Sequence, residues 1–355
     1  MKPPSGRAGE VLVRYPLPPP PLGPVPGEDQ AMFDQVKKAI ATGSRFVLIT
    51  HLNADGDGLG AELAMGRFLR RHGKQVRIVN TDPLPKQYRF LLRGDEPELF
   101  DPVKHGPVLN DADAIIILDN SSETRLAGMA EAVVKSPVPK ICIDHHPHPD
   151  KEWDVMAIDD RACATGEIVY NLIVEMDGDI APEDAEPIYV SIVTDTGNFR
   201  FSNTTPRVLA IASALVAKGA NVPTVYQEIF ERNPAAFVKL LGAALASIRQ
   251  DQTGQLGYIL MTRKMIHDCG ADGEDTSDII NGVLTIDGTK VAILFKELPD
   301  GRTKVSLRSK GAVNVNKVAT EFGGGGHRNA SGIVLPLPLD QAVETILPKI
   351  KALLA

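Results

Sequence analysis

Four short segments carry most of the side chains able to do chemistry. They hold His51, Asp55 and Asp57; Asp119 with Asn120, Ser121 and Ser122; Asp144, His145 and His146; and Asp195 within a Thr-Asp-Thr-Gly stretch. Each segment alone has an ordinary explanation. An aspartate after a strand commonly caps a helix or a turn, and a single histidine is commonly a packing residue. Together they pose an electrostatic problem, because unpaired carboxylates placed side by side repel and raise one another's pKa. Divalent cations are the usual remedy. Asp55, Asp57, Asp119 and Asp195 supply the charge that two such ions would balance. Aspartate oxygens mixed with imidazole nitrogen suit Mn²⁺ better than Mg²⁺, which keeps to oxygen and water. No thiolate lies in any segment, which disfavours a structural zinc site. Two ions about 3.5–4 Å apart could clamp an in-line displacement at phosphorus, acidifying a bridging water and stabilising the pentacoordinate oxygens.

The segments can meet only if the chain brings them to one edge. Arg45–Thr50, Gln75–Asn80, Ala114–Leu118 and Lys140–Ile143 are short apolar runs suited to buried strands. Gln30–Thr42, Leu59–Arg71, Glu123–Lys135, Thr165–Met176 and Glu183–Val193 have helical patterns. Strands alternating with helices imply an α/β fold with a parallel sheet and right-handed crossovers. Ligands of such sheets bind beyond the carboxyl ends of the strands, where these segments fall. Gly56 and Gly58 would let a tight loop turn both carboxylates of Asp55 and Asp57 toward shared ions.

After Phe201 the character changes. Pro206–Lys218, Val222–Glu231 and Pro234–Ile248 read as consecutive helices, then strands at Leu256–Met261, Lys290–Phe295, Lys304–Arg308 and Ser331–Pro336 with helices at Asn316–Glu321 and Leu339–Leu354. The expected organisation is a proline-rich tail over 1–27, a catalytic α/β domain over 28–205, a helical linker or hinge over 206–248 and a smaller α/β domain over 249–355. Phe199 and Phe201 could stack on a base or face a core from a strand, and Arg200 between them could touch substrate. Asn120, Ser121, Ser122 and Arg125 could orient a phosphate, or a serine there could cap a helix.

The chain, at 355 residues, is long for one compact domain. Domains commonly run to roughly 100–200 residues, so two are expected. A hydrophobic share of 43% with 23% charged residues excludes disordered and fibrous classes for most of it. No apolar run approaches the roughly 18 residues of a membrane helix. Cys142, Cys163 and Cys269 are scattered and odd in number, which argues against a disulfide framework and fits a reducing cytoplasm. A net charge of −7 disfavours a protein that coats long nucleic acid. A short substrate needs only one anchored and one reacting phosphate. Gly324, Gly325 and Gly326, followed by His327 and Arg328, could cradle that anchored phosphate through backbone N–H groups and adjacent cations.

Five motifs in order carry a resemblance: His-x-x-x-Asp-Gly-Asp over 51–57, the strand-end Asp119, Asp-His-His over 144–146, Thr-Asp-Thr-Gly over 194–197 and Gly-Gly-Gly-Gly-His-Arg-Asn-Ala-Ser-Gly over 323–332. The set resembles the DHH phosphoesterases with a DHHA1 substrate domain, from Gln30 to the C-terminus. Within that family it looks most like the NrnA-type oligoribonucleases, which also remove phosphate from 3′-phosphoadenosine 5′-phosphate. The resemblance implies that His51, Asp55 and Asp119 hold one ion and Asp57, Asp119, His145 and Asp195 the other. It makes Asp144 an orienting partner of a histidine ring, and His146 a phosphate ligand or the acid for the leaving oxygen. Arg308 and His327 would grip a substrate phosphate, with Ser309 and Asn314 nearby. Ala54 stands where the family often has proline, and Gly58 where it commonly has alanine. Neither change removes a ligand.

The expected activity is a hydrolase using two Mn²⁺, with Mg²⁺ or Co²⁺ able to substitute, acting on short oligoribonucleotides, linear dinucleotides and 3′-phosphoadenosine 5′-phosphate. The alternatives are a cyclic dinucleotide phosphodiesterase, for cyclic di-AMP for example, and a nucleotide sensor without catalysis. Short RNA or a nucleotide is the expected partner, in the cytoplasm and away from membranes. A homodimer is compatible with the sequence, which points to no protein partner.

Overall fold

The computed structural model describes residues 29–354 apart from residue 148; the proline-rich stretch over 1–27 lies outside the described residues. The chain forms two compact units, divided between Arg232 and Asn233.

The first unit runs α1 (Asp29–Thr42), β1 (Arg45–Ile49), α2 (Gly56–Arg71), β2 (Gln75–Asn80), β3 (Glu98–Leu99), α3 (Pro102–Asp111), β4 (Ala114–Leu118), α4 (Ala130–Lys135), β5 (Lys140–Asp144), β6 (Val155–Ile158), α5 (Thr165–Asp177), α6 (Pro182–Asp195), α7 (Pro206–Ala217) and α8 (Val222–Phe230). Its sheet has the order β3-β2-β1-β4-β5-β6, with every pairing parallel. The central strands are continuous apolar runs because both faces are covered. Phe46 and Leu48 of β1 face a core shared with α1, α2, α5 and α6, while Val47 and Ile49 face Leu109, Leu126 and Val133 on the other side. The chain leaves β1 toward β2 on one side and returns through β4 on the other. The crevice of a doubly wound sheet opens at that switch point.

The structure departs from sequence expectation where local signals are weak. β3 spans two residues, and neither it, α3 nor β6 is anticipated. The segment expected as one helix over 123–135 is a 3₁₀ turn at Thr124–Met129 followed by α4, broken at Ala127 with φ 46°. Residues 56–58 are not a tight loop. They form the first turn of α2, because the Asp55 carboxylate accepts the N–H groups of Asp57 at 3.0 Å and Gly58 at 3.3 Å and so caps the helix. Gly58 instead permits close approach, since a Cβ there would lie 2.4 Å from Thr50 Oγ1. Phe199 and Phe201 do not lie on a strand. They sit in a turn after α6, with Asn198 and Phe199 at positive φ. Phe199 packs near Tyr189, ring centroids 6.1 Å apart, whereas Phe201 is exposed with the Arg200 guanidinium 5.0 Å from its ring. Ser121 and Ser122 cap no helix; the Ser122 hydroxyl donates to Asp150.

The break between the units falls inside the segment expected as a linker. Val208, Ile211, Leu215 and Val225 of α7 and α8 enter the first unit's core, while the next helix, α9 (Ala235–Ala246), buries Leu240 and Ala244 in the second. The second unit continues β7 (Arg249–Gln250), β8 (Leu256–Met261), α10 (Arg263–Asp268), α11 (Asn281–Leu284), β9 (Val291–Glu297), β10 (Thr303–Ser309), α12 (Asn316–Glu321), β11 (Gly325–His327), β12 (Ala330–Leu335) and α13 (Leu339–Leu354). Its mixed sheet has the order β11-β12-β10-β9-β8-β7, with α12 and α13 on one face and α9 to α11 on the other. Among the described residues no single helix is long and apolar enough to cross a membrane.

In the first unit α2 and α6 pack closely. A Cβ on Gly60 would lie 2.3 Å from the Pro187 carbonyl oxygen, backbone that cannot turn aside. Gly60→Ala is therefore expected to destabilise the first unit by about 1–3 kcal/mol. A lowered urea midpoint with an unchanged slope checks this, and an unaltered midpoint would refute it.

Candidate functional site

All four chemical segments reach one edge of the first sheet. β1 ends just before His51, and the start of α2 carries Asp55 and Asp57. β4 delivers Asp119, β5 ends on Asp144 with His145 and His146 next, and α6 ends on Asp195. Asp119 is buried and holds φ 56°. Aspartate and asparagine tolerate that left-handed conformation better than most residues.

The donor atoms cluster. His51, Asp55 and Asp119 form one set, Asp57, His145 and Asp195 a second, and Asp119, His145 and His146 a third, each within 4.8 Å. Asp119 faces two ways, with Oδ2 at 3.2 Å from His51 Nε2 and Oδ1 at 3.7 Å from His145 Nε2. His145 Nε2 is also 3.4 Å from Asp57 Oδ2 and 3.8 Å from Asp195 Oδ2. Both rings are turned by the backbone: His51 Nδ1 meets the Leu52 carbonyl at 2.8 Å and His145 Nδ1 the Ala162 carbonyl at 3.3 Å. A carbonyl only accepts, so Nδ1 is the protonated nitrogen and Nε2 points into the cluster. Among the described residues, no lysine or arginine pairs with Asp55, Asp57, Asp119, Asp144 or Asp195; their ion-pair partners are histidines. The first two sets, each of two carboxylates and one imidazole, fit a pair of hard or borderline divalent cations.

The protonation pattern follows. Burial alone would lower the His51 imidazole, but the Asp119 and Asp55 carboxylates reverse this and hold it at about 10. His145, pulled down by burial, is likewise carried to about 9 by Asp57, Asp195 and Asp119. Burial and then the Asp119 charge push the Asp57 carboxyl well above its ordinary range, and burial lifts Asp195 to about 6 against the pull of His145. Asp144 goes the other way. Burial would raise it, but His146 at 2.7 Å holds it at about 2. Its Oδ1 also accepts the backbone N–H groups of His145 and His146, at 2.8 and 3.2 Å.

Several supporting residues escape sequence reasoning. Asp57 accepts the N–H groups of Thr165 at 2.8 Å and Gly166 at 3.1 Å, as well as the Ser191 hydroxyl. The start of α5 thus aims its positive end at a carboxylate far away in sequence. The Thr165 hydroxyl lies 3.2 Å from Asp119 Oδ1. Asn203 Nδ2 donates to the Asp195 carbonyl at 3.2 Å. Behind His51, Asn80 accepts the Thr50 N–H and donates to the buried Glu62, lifted by burial to about 8. The only available signal was polar Thr50 and Asn80 ending apolar strands. Asn120 instead organises its own turn, accepting the Ser122 N–H at 3.0 Å, and the Arg125 carbonyl accepts the Leu52 N–H at 2.7 Å.

The second unit places the remaining candidates. Arg308 of β10 and His327 of β11 both register with Ala330 of β12, so they share a row and a face of the sheet. Val305 and Leu307 turn toward the opposite, packed face. Ala330 is the small residue between the flanking cations, and two residues on Gly332 lies between Ser306 and Gly325. The glycine run is not a turn at a helix start. Gly323 at φ 72° ends α12, while Gly325 and Gly326 lie in the outermost strand. A Cβ on Gly324 would sit 2.2 Å from the Gly332 carbonyl and one on Gly326 2.4 Å from that of Ala330, so close strand approach explains those glycines. The Ser309 hydroxyl donates to the Val313 carbonyl, Asn314 accepts the Asn316 N–H, and Arg328 donates to the Ala312 carbonyl. These three shape the loop beside the row, and Asn314 and Arg328 line a cavity of about 350 Å³.

Comparison with known proteins converges with this geometry. Residues 45–194 match the model of the DHH family, N-terminal domain, and residues 258–355 that of the DHHA1 domain. A Thermus thermophilus protein named bifunctional oligoribonuclease and PAP phosphatase NrnA is 33% identical over 91% of this chain and 94% of its own length. The Bacillus subtilis protein of the same name is 25% identical over 85% of this chain and 92% of its own. Among solved structures, an exopolyphosphatase-related protein from Bacteroides fragilis superposes with a TM-score of 0.85 at 27% identity, covering 91% of this chain and 96% of that one.

Metal loading should expel protons. His51 and His145 stand above their ordinary value of 6.5, at about 10 and about 9. Near neutrality each ring therefore carries a proton that a cation must displace. Apparent Mn²⁺ affinity should rise with pH toward those values, by up to about tenfold per unit for each proton displaced. Calorimetry in buffers of different ionisation heat reads the proton release, and pH-independent binding would contradict it. Thr165→Val should weaken metal binding by about 10–100-fold, the range for losing an outer partner of a ligand. An unchanged metal titration in a folded variant would remove that role.

Proposed function

The chain belongs to the DHH family of phosphoesterases with a DHHA1 domain, and on that footing we propose that it hydrolyses short oligoribonucleotides, linear dinucleotides and 3′-phosphoadenosine 5′-phosphate. The observation that carries the reading is the convergence of three donor sets at the switch point, two of them sharing Asp119 and the third joined to it by His145, with no lysine or arginine neutralising them among the described residues. The names of the Thermus and Bacillus relatives supply the substrate class. His51, Asp55 and Asp119 would hold one Mn²⁺, and Asp57, Asp119, His145 and Asp195 a second. When bound, such ions supply Lewis acidity toward a phosphoryl group and acidify the attacking water.

The chain's own side chains do the rest. Asp144 fixes His146 through Nδ1, so the ring's other nitrogen is the one able to hand a proton to the leaving oxygen or to bind a phosphate oxygen. Thr165 and the start of α5 keep Asp57 and Asp119 in place. In the second unit, Arg308 and His327 would take a non-reacting phosphate from either side of Ala330, with the Arg308 fork suited to two oxygens. The small Ala330 between them would leave room for the phosphate itself. With one anchored phosphate as the grip, a few nucleotides make the preferred substrate.

A panel of 3′-phosphoadenosine 5′-phosphate, a linear dinucleotide, a pentamer, a cyclic dinucleotide and a long single strand, assayed with Mn²⁺, tests this. Turnover should be highest on the shortest linear members. Preference for the longest strand would sink the short-substrate reading, and tight binding without turnover would favour a sensor. Asp119→Asn should lower turnover by more than the roughly hundredfold cost of losing an outer partner. Activity near wild type would remove Asp119 from the bridging position.

A further inference from the structure

The bonding between β1 and its two neighbours does not stop where the backbone ladders do. Those ladders end at the pairs Leu48 with Ile78 and Ile49 with Ile117. Beyond them, side chains continue the bonding. The Asn80 side-chain oxygen, at the end of β2, accepts the Thr50 N–H at 3.2 Å, and the Thr50 hydroxyl donates to the Leu118 carbonyl at 2.8 Å. His51 follows Thr50 and Asp119 follows Leu118, so each bond is made one residue short of a candidate ligand. A backbone N–H can only donate, which sets the Asn80 amide with its oxygen toward Thr50 and its Nδ2 the other way. That Nδ2 donates to Glu62 Oε2 at 2.8 Å.

Glu62 ends this relay, and packing does not explain it. It lies on α2 a little over one turn beyond Asp57 and is fully buried. Among the described residues no lysine or arginine pairs with it, and its Oε1 is buried with no hydrogen-bond partner. A buried acid with a single partner is costly, and an apolar side chain of similar volume is often the more stable choice. Burial lifts the carboxyl to about 8, so near neutrality it is the neutral acid and adds no charge to the aspartates nearby. What it supplies is an acceptor for the Asn80 Nδ2. Without that acceptor the amide could turn over and present its NH₂ to the Thr50 N–H, donor against donor.

We propose that Glu62 is a positioning residue for the metal cluster: it holds Asn80 in one orientation, and through Thr50 this fixes the direction in which His51 and Asp119 present their donor atoms. The inference rests on the proposed function in taking those two residues as ligands. The relay joins α2, β2, β1 and β4, and its bonds go to neither His145 nor Asp195.

The test uses the full-length chain as wild type, Glu62→Leu, Glu62→Gln and Thr50→Val. Leucine nearly keeps the volume and removes the acceptor, glutamine keeps an acceptor oxygen, and valine keeps the shape of Thr50 without its bond to Leu118. In calorimetric titration with Mn²⁺, Glu62→Leu should weaken binding by about tenfold or more, the lower end of the cost of losing an outer partner. Glu62→Gln should restore it, and Thr50→Val should weaken it as leucine does. In the metal-free chain the backbone amide resonances of His51 and Asp119 should move in Glu62→Leu and return in Glu62→Gln, while those of His145 and Asp195 stay. A merely structural role would shift both pairs together or neither. Wild-type Mn²⁺ affinity in folded Glu62→Leu, or Glu62→Gln as weak as Glu62→Leu, overturns the proposal. Should Glu62→Leu not fold, weak binding in Glu62→Gln or unchanged affinity and resonances in Thr50→Val overturns it equally. A wild-type chain that bound no Mn²⁺ would refute the proposed function instead, and the metal-free resonances would decide the relay alone.

Discussion

Like charges held together in a water-poor edge of a sheet are the constraint around which the first unit is built. Asp57 and Asp119 are buried beside one another, with Asp195 within reach of the same imidazole. Left to themselves they would separate or take up protons. The fold opposes this with donors that cost no extra charge. The start of α2 bonds Asp55, the start of α5 bonds Asp57, and backbone carbonyls turn His51 and His145 inward. Helix ends and backbone groups stabilise anions without the salt bridges that would exclude a metal ion.

The second unit answers a different need with different means. Its row of Arg308, Ala330 and His327 sits on a sheet face, and its glycines bring an outer strand close to its neighbour. On the proposed function, chemistry and grip would belong to separate cores. The boundary between Arg232 and Asn233 falls among helices that each join one core or the other.

Much of this was legible in the sequence because it depends on local pattern. The apolar runs of β1, β4 and β5 and the polar residues ending them are visible as strings, and order along the chain suffices to place them at one edge of a parallel sheet. What was not legible depends on distance in space. Thr165 and Ser191 support Asp57 across more than a hundred residues, and nothing in their own surroundings announces it. Gly56 and Gly58 looked like loop formers because glycine suits turns, yet Asp55 caps a helix there and Gly58 makes room for Thr50. The glycine run after α12 misled in the same way: without the register of β11 on β12, close strand contact cannot be told from a turn. β3 failed for want of length.

The tight contact of α2 with α6 has one more implication. Asp57 rides on the first of these helices and Asp195 on the second, and Gly60 against the Pro187 carbonyl fixes how near they stand. On the proposed function, helices held that closely would favour one size of cation over another. On the same reading calcium, which seeks six to eight oxygens at about 2.3–2.6 Å, would find few oxygens in a set of two carboxylates and one imidazole. Resistance of manganese loading to excess calcium is where that selectivity would show.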